Sequence, residues 1–337
     1  MSNPSFRIPT VVAVAAVMWL SATPIAGGQG RGLPQAVQTA GAASRTPWGD
    51  PDLEGIWTNT TTTPLERPAG LAGKEFLTDA ERLEADDQRA RNADRPPRPG
   101  DPGAYNAFWL EPGRMSRQTS LIVDPPDGRL PFTVEAQKEA VARSDARFQR
   151  GTSPAITSWE DRDAYERCIT RGMPGAMIPG YYNHNYQIVQ APGYVAIYVE
   201  MIHEVRIIPV DGRPHLPHNI RQWLGDSRGR WEGKTLVIET TNFNGKVKDR
   251  NIFAFGTRDN ARVVERFTRV DTDTIDYRIT VDDPAGFARP WTAFMPMSRL
   301  NTPLYEYACH EGNYGLEHIL RAAREREKAV DGAAVKR

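Results

Sequence analysis

The sequence predicts a mainly β protein, an antiparallel meander closed into a small barrel, with a twisted β-sandwich as the alternative. Three observations predict it. Segments rich in β-branched and aromatic residues follow one another from Tyr186 onward. Several are joined by short turns, Ala191-Pro-Gly193, Gly229 to Gly233 and Asp271-Thr-Asp273, which favour antiparallel neighbours. Their number, together with one strand near the start of the fold, is about eight, enough to close a barrel that holds side chains or one small ligand.

Taken in order, the chain opens with Arg7, an apolar run from Val11 to Leu20 and small residues through Ala22, Ala26 and Gly27. This is the order of a secretory signal peptide, residues 1–26, with cleavage near Ala26. The run is too short for a transmembrane helix, and no later stretch reaches about 18 uninterrupted apolar residues. The mature protein is therefore expected in the periplasm or outside the cell, without stable membrane insertion. Residues 27–46, rich in Gly, Ala, Gln and Ser, read as a flexible leader.

Residues 47–175 read as a strand and helical arm. Gly55-Ile-Trp57 runs into Thr58 to Thr63, a threonine-rich stretch with strand propensity. A Gly-x-Trp on a first strand resembles the opening of the calycin and lipocalin barrels, in which the tryptophan closes one barrel end, so the resemblance implies a calycin-like barrel. Thr78-Asp-Ala-Glu81 is a capping box that opens a charged helix to about Asn92, ahead of the Pro-rich stretch Arg95 to Pro102. Ser120 to Asp124 is a short strand entering the turn Pro125-Pro-Asp-Gly128. Thr133 caps a second helix to about Phe148, and Ser158 to Asp161 caps a third that ends at Cys168. Residues 176–316 carry the barrel, with strands expected over Tyr186 to Gln190, Tyr194 to Pro209, Trp231 to Phe243, Ala261 to Val270, Thr274 to Asp282, Trp291 to Ser298 and Leu304 to His310. Asn313 caps a C-terminal helix, and residues 317–337 form its body and tail.

The stretch Tyr194 to Phe243 combines the strongest strand signals with the densest set of ionisable groups. Strict alternation along Tyr194 to Pro209 puts Tyr198, Glu200, Ile202, Glu204 and Arg206 on one face and Met201, His203, Val205 and Ile207 on the other. One reading is a strand lining a partly polar cavity, with His203 as general base, Glu200 or Glu204 orienting it or acting as acid, and Arg206 or Tyr305 stabilising developing negative charge. Tyr198, Trp231, Tyr305 and Tyr307 are then candidates to bind a flat substrate. The plainer reading is a solvated charge ladder, a hydrogen-bonded core histidine and ordinary core aromatics. A weaker alternative is a metal site built from His203, His215 and His218, although no HExxH or paired-cysteine spacing supports it. Gly225-Asp-Ser-Arg-Gly229 matches the letters of a nucleophile elbow, but a strand rather than a helix follows Ser227.

Composition narrows the classes further. Among 337 residues, 42 are basic and 42 acidic, so no global field favours nucleic acid. No Gly-rich phosphate loop is present, so no nucleotide cofactor is expected. The two cysteines, Cys168 and Cys309, are expected to pair in an oxidising compartment, closing a loop of about 140 residues worth roughly 4 to 5 kcal/mol in the chain-entropy model. The competing role, a catalytic thiol, needs a depressed pKa.

The runs EMIHEVRIIPVDGRPH, GDSRGRWEGKTLVIETTNF, TIDYRITVDDP, RPWTAFMP and YEYACHEGNYG resemble a family of exported, functionally uncharacterised proteins of soil bacteria. That resemblance spans TPWGDPDLEGIW to NYGL. It implies export and a single structural unit and assigns no activity. The sequence thus leaves two main functions: an exported enzyme, lyase, isomerase or hydrolase, acting on a small cyclic or aromatic molecule by acid and base chemistry in a barrel cavity, or a small-molecule carrier using the same cavity without turnover. A metal-assisted hydrolase is a further alternative, and so is an envelope interaction protein with its charged strands facing outward.

Overall fold

The chain's β-branched segments do pair into one antiparallel sheet. The computed structural model describes residues 45–93, 108, 110–111, 113–148, 156–180, 182–247 and 260–334, which carry eleven strands and three α-helices. The expected signal peptide, nearly all of the leader and the Pro-rich stretch lie outside the described residues. The described residues fall in one compact unit.

The strands are β1 (Gly55–Thr58), β2 (Ile122–Asp124), β3 (Asn185–Ala191), β4 (Tyr194–Val199), β5 (Glu204–Pro209), β6 (Asp226–Glu232), β7 (Thr235–Thr241), β8 (Arg262–Arg269), β9 (Thr274–Asp282), β10 (Trp291–Phe294) and β11 (Met297–Arg299). They pair in the order β5-β4-β3-β1-β11-β9-β8-β7-β6, while β10 pairs the upper part of β9 and takes β2 on its other edge. The first strand therefore joins the meander β3 to β5 to the last strand. The two ends of the sheet, β5 and β6, come together without a hydrogen-bonded ladder, leaving the barrel nearly closed. Side chains fill that seam: a Cβ on Gly229 of β6 would lie 2.7 Å from Val210 Cγ1 and 3.1 Å from Ile208 Cγ2.

Alternation drives the core. Trp57, Tyr186, Phe267 and Tyr277 are wholly buried inside the barrel, with the Phe267 and Tyr277 rings 4.5 Å apart. Trp57 donates from Nε1 to the Leu53 carbonyl at 3.0 Å, and Arg299 and Arg269 stand 4.7 and 5.7 Å from its ring. Gly55 sits at φ 139°, a backbone conformation that residues with a side chain rarely adopt.

The helices follow their caps. In α1 (Asp79–Ala93), Glu81 N donates to Thr78 Oγ1 at 3.2 Å and Thr78 N to Glu81 Oε2 at 2.9 Å. Thr133 Oγ1 accepts from Ala136 N at the start of α2 (Val134–Phe148), and Asn313 Oδ1 from Leu316 N at the start of α3 (Tyr314–Ala334). The third helix of the arm does not form. Ser158 caps one 3-10 turn, Trp159–Asp161, after which Asp163 Oδ1 takes the Glu166 amide and turns replace the helix.

Several strand expectations change, and Trp291 to Ser298 divides into β10 and β11 at Met295-Pro296. Tyr194 to Pro209 is a hairpin rather than one strand, because the chain reverses at Glu200 to His203, with Ile202 at φ 64° and His203 at φ 47°. The reversal breaks the alternation, so Arg206 points into the barrel opposite Ile197 while Val205 and Ile207 are 53% and 67% exposed. Trp231 to Phe243 is likewise the end of β6, a turn through Gly233 and β7. Leu304 to His310 makes no ladder and runs as an irregular strap.

Candidate functional site

The same alternation that buries Trp57 and Tyr186 turns their neighbours Thr58 and Asn185 to the outer face of the sheet. In register, Thr58 stands between Asn185 of β3 and Ser298 of β11. Glu200 follows directly on β4, where its amide donates to the Asn185 carbonyl at 3.0 Å. Glu111 and Gly113 to Ser116 of the arm and the strap from Leu300 to Tyr305 flank this outer face, lining a cleft of about 600 Å³ on the rim of the barrel.

Two carboxylates are fixed in the cleft. Glu200 is 1% exposed; its Oε2 accepts from Asn185 Nδ2 at 2.6 Å and its Oε1 from the Tyr305 amide at 3.1 Å. Glu111 Oε1 accepts from the Asn183 amide at 2.9 Å, and its Oε2 from Thr60 Oγ1 at 3.3 Å. Thr60 Oγ1 in turn lies 2.9 Å from Thr58 Oγ1. Sequence reading gave Thr58 to Thr63 to a strand and did not place Glu111, Asn183, Asn185 or Ser298 at any site. Only the first threonine is in β1; the hydroxyls of the run bond to one another and to the arm, Thr61 Oγ1 donating to the Arg114 carbonyl at 2.8 Å. The available signal was five threonines within the six residues Thr58 to Thr63, a dense hydroxyl surface beside a buried strand.

Of the residues singled out in the sequence, Glu200 and Tyr305 meet in this cleft. His203 is exposed on the turn beyond β4, its Nδ1 2.9 Å from the Tyr307 carbonyl. Glu204 Oε2 accepts from the Arg171 amide at 3.3 Å; burial pushes its carboxyl up, against hydrogen bonds from Thr170 and Arg171 and the charges of Arg206 and Arg171. Arg206 lies inside the barrel in a two-pronged pair with Glu265, whose Oε1 also accepts from Tyr277 Oη at 2.9 Å. The four residues of the expected acid and base centre therefore occupy different places: cleft, exposed turn, arm contact and barrel core. Tyr198 faces outward between Gln187 and Val205, Trp231 is half-buried at the end of β6, and Tyr307 is half-buried on the strap.

His215 is held by Asp226, Nδ1 to Oδ2 at 2.8 Å, with Glu239 Oε1 3.8 Å from Nε2 and Arg228 bonded to Asp226 Oδ1 at 2.7 Å. His218 is exposed on the same loop. Among the described residues no group of three or more His, Cys, Asp or Glu side chains is arranged to hold a metal ion. Ser227 is the second residue of β6, buried, with Oγ 2.9 Å from Thr240 Oγ1 and strand rather than helix after it, so the elbow-like letters mark no elbow. Cys168 and Cys309 form a disulfide with Cα atoms 5.7 Å apart, tying the arm to the strap.

No family model matches this chain, and no curated protein matches it. Among solved structures it is similar to a secretary abundant heat soluble (SAHS) protein from Ramazzottius varieornatus, at 14% identity over 42% of this chain and 89% of that one, with a TM-score of 0.24, a likeness too slight to carry an argument.

Proposed function

We propose that this protein binds a small organic molecule in the rim cleft, outside the barrel. One observation carries the reading: a cavity of about 600 Å³, within the range of small-molecule sites, receives two carboxylates already fixed by backbone and side-chain donors. The barrel interior holds the buried side chains of Trp57, Tyr186, Phe267 and Tyr277 and the Arg206 to Glu265 pair. Fixed polar groups lower the ordering cost of binding. Turnover by the expected acid and base set would need His203 in the cleft; its ring is engaged with the Tyr307 carbonyl instead, so binding without catalysis is the reading carried here. The disulfide supports an oxidising compartment, periplasmic or extracellular, and no described helix is long and apolar enough to cross a membrane.

Ser298 is exposed at the cleft wall, so Ser298→Trp fills the cavity without entering the core. Ligand-observed NMR with a library of small polar molecules is expected to find binders to the wild type that the Ser298→Trp protein no longer holds. Binders held equally by both proteins, or no binders at all, would refute the cleft as the site.

A further inference from the structure

Resting on the cleft as the binding site, we infer that its ligand is a neutral, hydroxyl-rich molecule, a saccharide or polyol. Five donors at the cleft are already turned toward the protein: the Asn183 amide and Thr60 hydroxyl to Glu111, the Asn185 side chain and Tyr305 amide to Glu200, and the Thr61 hydroxyl to the Arg114 carbonyl. Each of the four carboxylate oxygens thus has one donor of its own and a remaining lone-pair site for another. The floor is rich in acceptors and calls for ligand O–H or N–H groups.

The walls reject the two charged alternatives. An anion can take Arg114, but it meets the like charge of two carboxylates and leaves their lone pairs unmatched. An ammonium ligand satisfies the carboxylates but brings no acceptor for the Ser298 hydroxyl or the Arg114 guanidinium, and Arg114 is a cation on the same cleft. A hydroxyl is both donor and acceptor, and fits both walls. Tyr305, 70% exposed, lines the cleft together with the apolar Leu121, Met295 and Leu300. A sugar ring presents the matching pair of surfaces, a hydroxyl edge and a C–H face.

The test titrates three probe sets into the full mature protein by calorimetry: glucose, cellobiose and myo-inositol; putrescine and spermidine; gluconate and glucose 6-phosphate. The neutral set is expected to bind, with affinity falling about tenfold in Glu111→Gln, which replaces charged acceptors by an amide. A fall of about tenfold is also expected in Tyr305→Ala, whose thermal midpoint should match the wild type because the ring is exposed and the backbone donor to Glu200 is kept. Binding confined to the amines or to the acids overturns the ligand class, as does neutral binding that both variants leave unchanged. If no neutral probe binds while the library compounds displaced by Ser298→Trp still do, the class is wrong and the cleft reading stands. If those compounds are absent too, both fall together.

Discussion

The Arg206 and Glu265 side chains are 2% and 0% exposed, deep in a core of aliphatic and aromatic side chains. Charges at that depth persist only as a well-bonded pair, and Tyr277 adds a third hydrogen bond. Glu265→Gln strands the guanidinium, and urea denaturation should register a loss of about 3 to 5 kcal/mol, whereas Arg206→Met combined with Glu265→Leu should lose far less. Equal losses in the two proteins would mean that burial of the charge is not what sets the cost. Glu204 makes a pH-dependent case. Its folded carboxyl is raised above the ordinary 4.5, chiefly by burial, so the folded state holds a proton that the unfolded chain has already released. Stability from this group is present below about 4.5 and is lost as pH rises through the raised value. Glu204→Gln, which cannot ionise, should therefore gain on the wild type across that window and then hold a constant margin, as read from urea midpoints between about pH 4 and 8. The sequence displayed these charges but not their directions. Counting alternate residues from Tyr198 to Arg206 assumes a continuous strand, and the reversal at Ile202 and His203 exchanges the faces for everything after it.

At the scale of elements, the strap between Leu300 and Asn313 connects fold to cleft. It delivers the Tyr305 amide to Glu200 and the Tyr307 carbonyl to His203, and Cys309 anchors it to the arm 141 residues earlier. Replacing both cysteines by serine removes that anchor. The chain-entropy model sets the loss at about 5 kcal/mol for a loop of this length. Weaker cleft binding should accompany it, because Tyr305 is then held by noncovalent contacts alone; unchanged affinity in a destabilised protein would show that the strap's position does not depend on the disulfide. The tyrosine alternation in this stretch imitates a strand, yet a buried carboxylate and a histidine ring occupy two of its backbone groups and no ladder forms. The helices were legible because their starts are local chemistry: Thr78 with Glu81, Thr133 and Asn313 each cap the helix they precede. Glu111 was not, since nothing near it in sequence announces that it will meet Asn183, 72 residues on.

For the whole molecule, β-branched segments joined by short turns foretold an antiparallel barrel, while closure rests on contacts between residues far apart in sequence. β1 pairs with both β3 and β11, which makes one sheet of two meanders. The remaining gap, between β5 and β6, is spanned by side chains: Val210 and Ile208 against Gly229, and Arg206 reaching Ser227 Oγ at 3.5 Å. Backbone groups along that seam lack the ladder partners that β7, β8 and β9 give one another. Their amides should exchange with solvent well before those of β8, and protection equal to β8 would mean that a ladder forms in solution. The same seam predicts a paired mutational response. Gly229→Ala sets a methyl 2.7 Å from Val210 Cγ1, and overpacking of this kind costs about 1 to 3 kcal/mol. Adding Val210→Ala removes the obstructing methyl and should recover part of that loss, although the same change alone destabilises. Additive losses in the double variant would place the strain of Gly229→Ala elsewhere and leave the seam without its proposed side-chain closure.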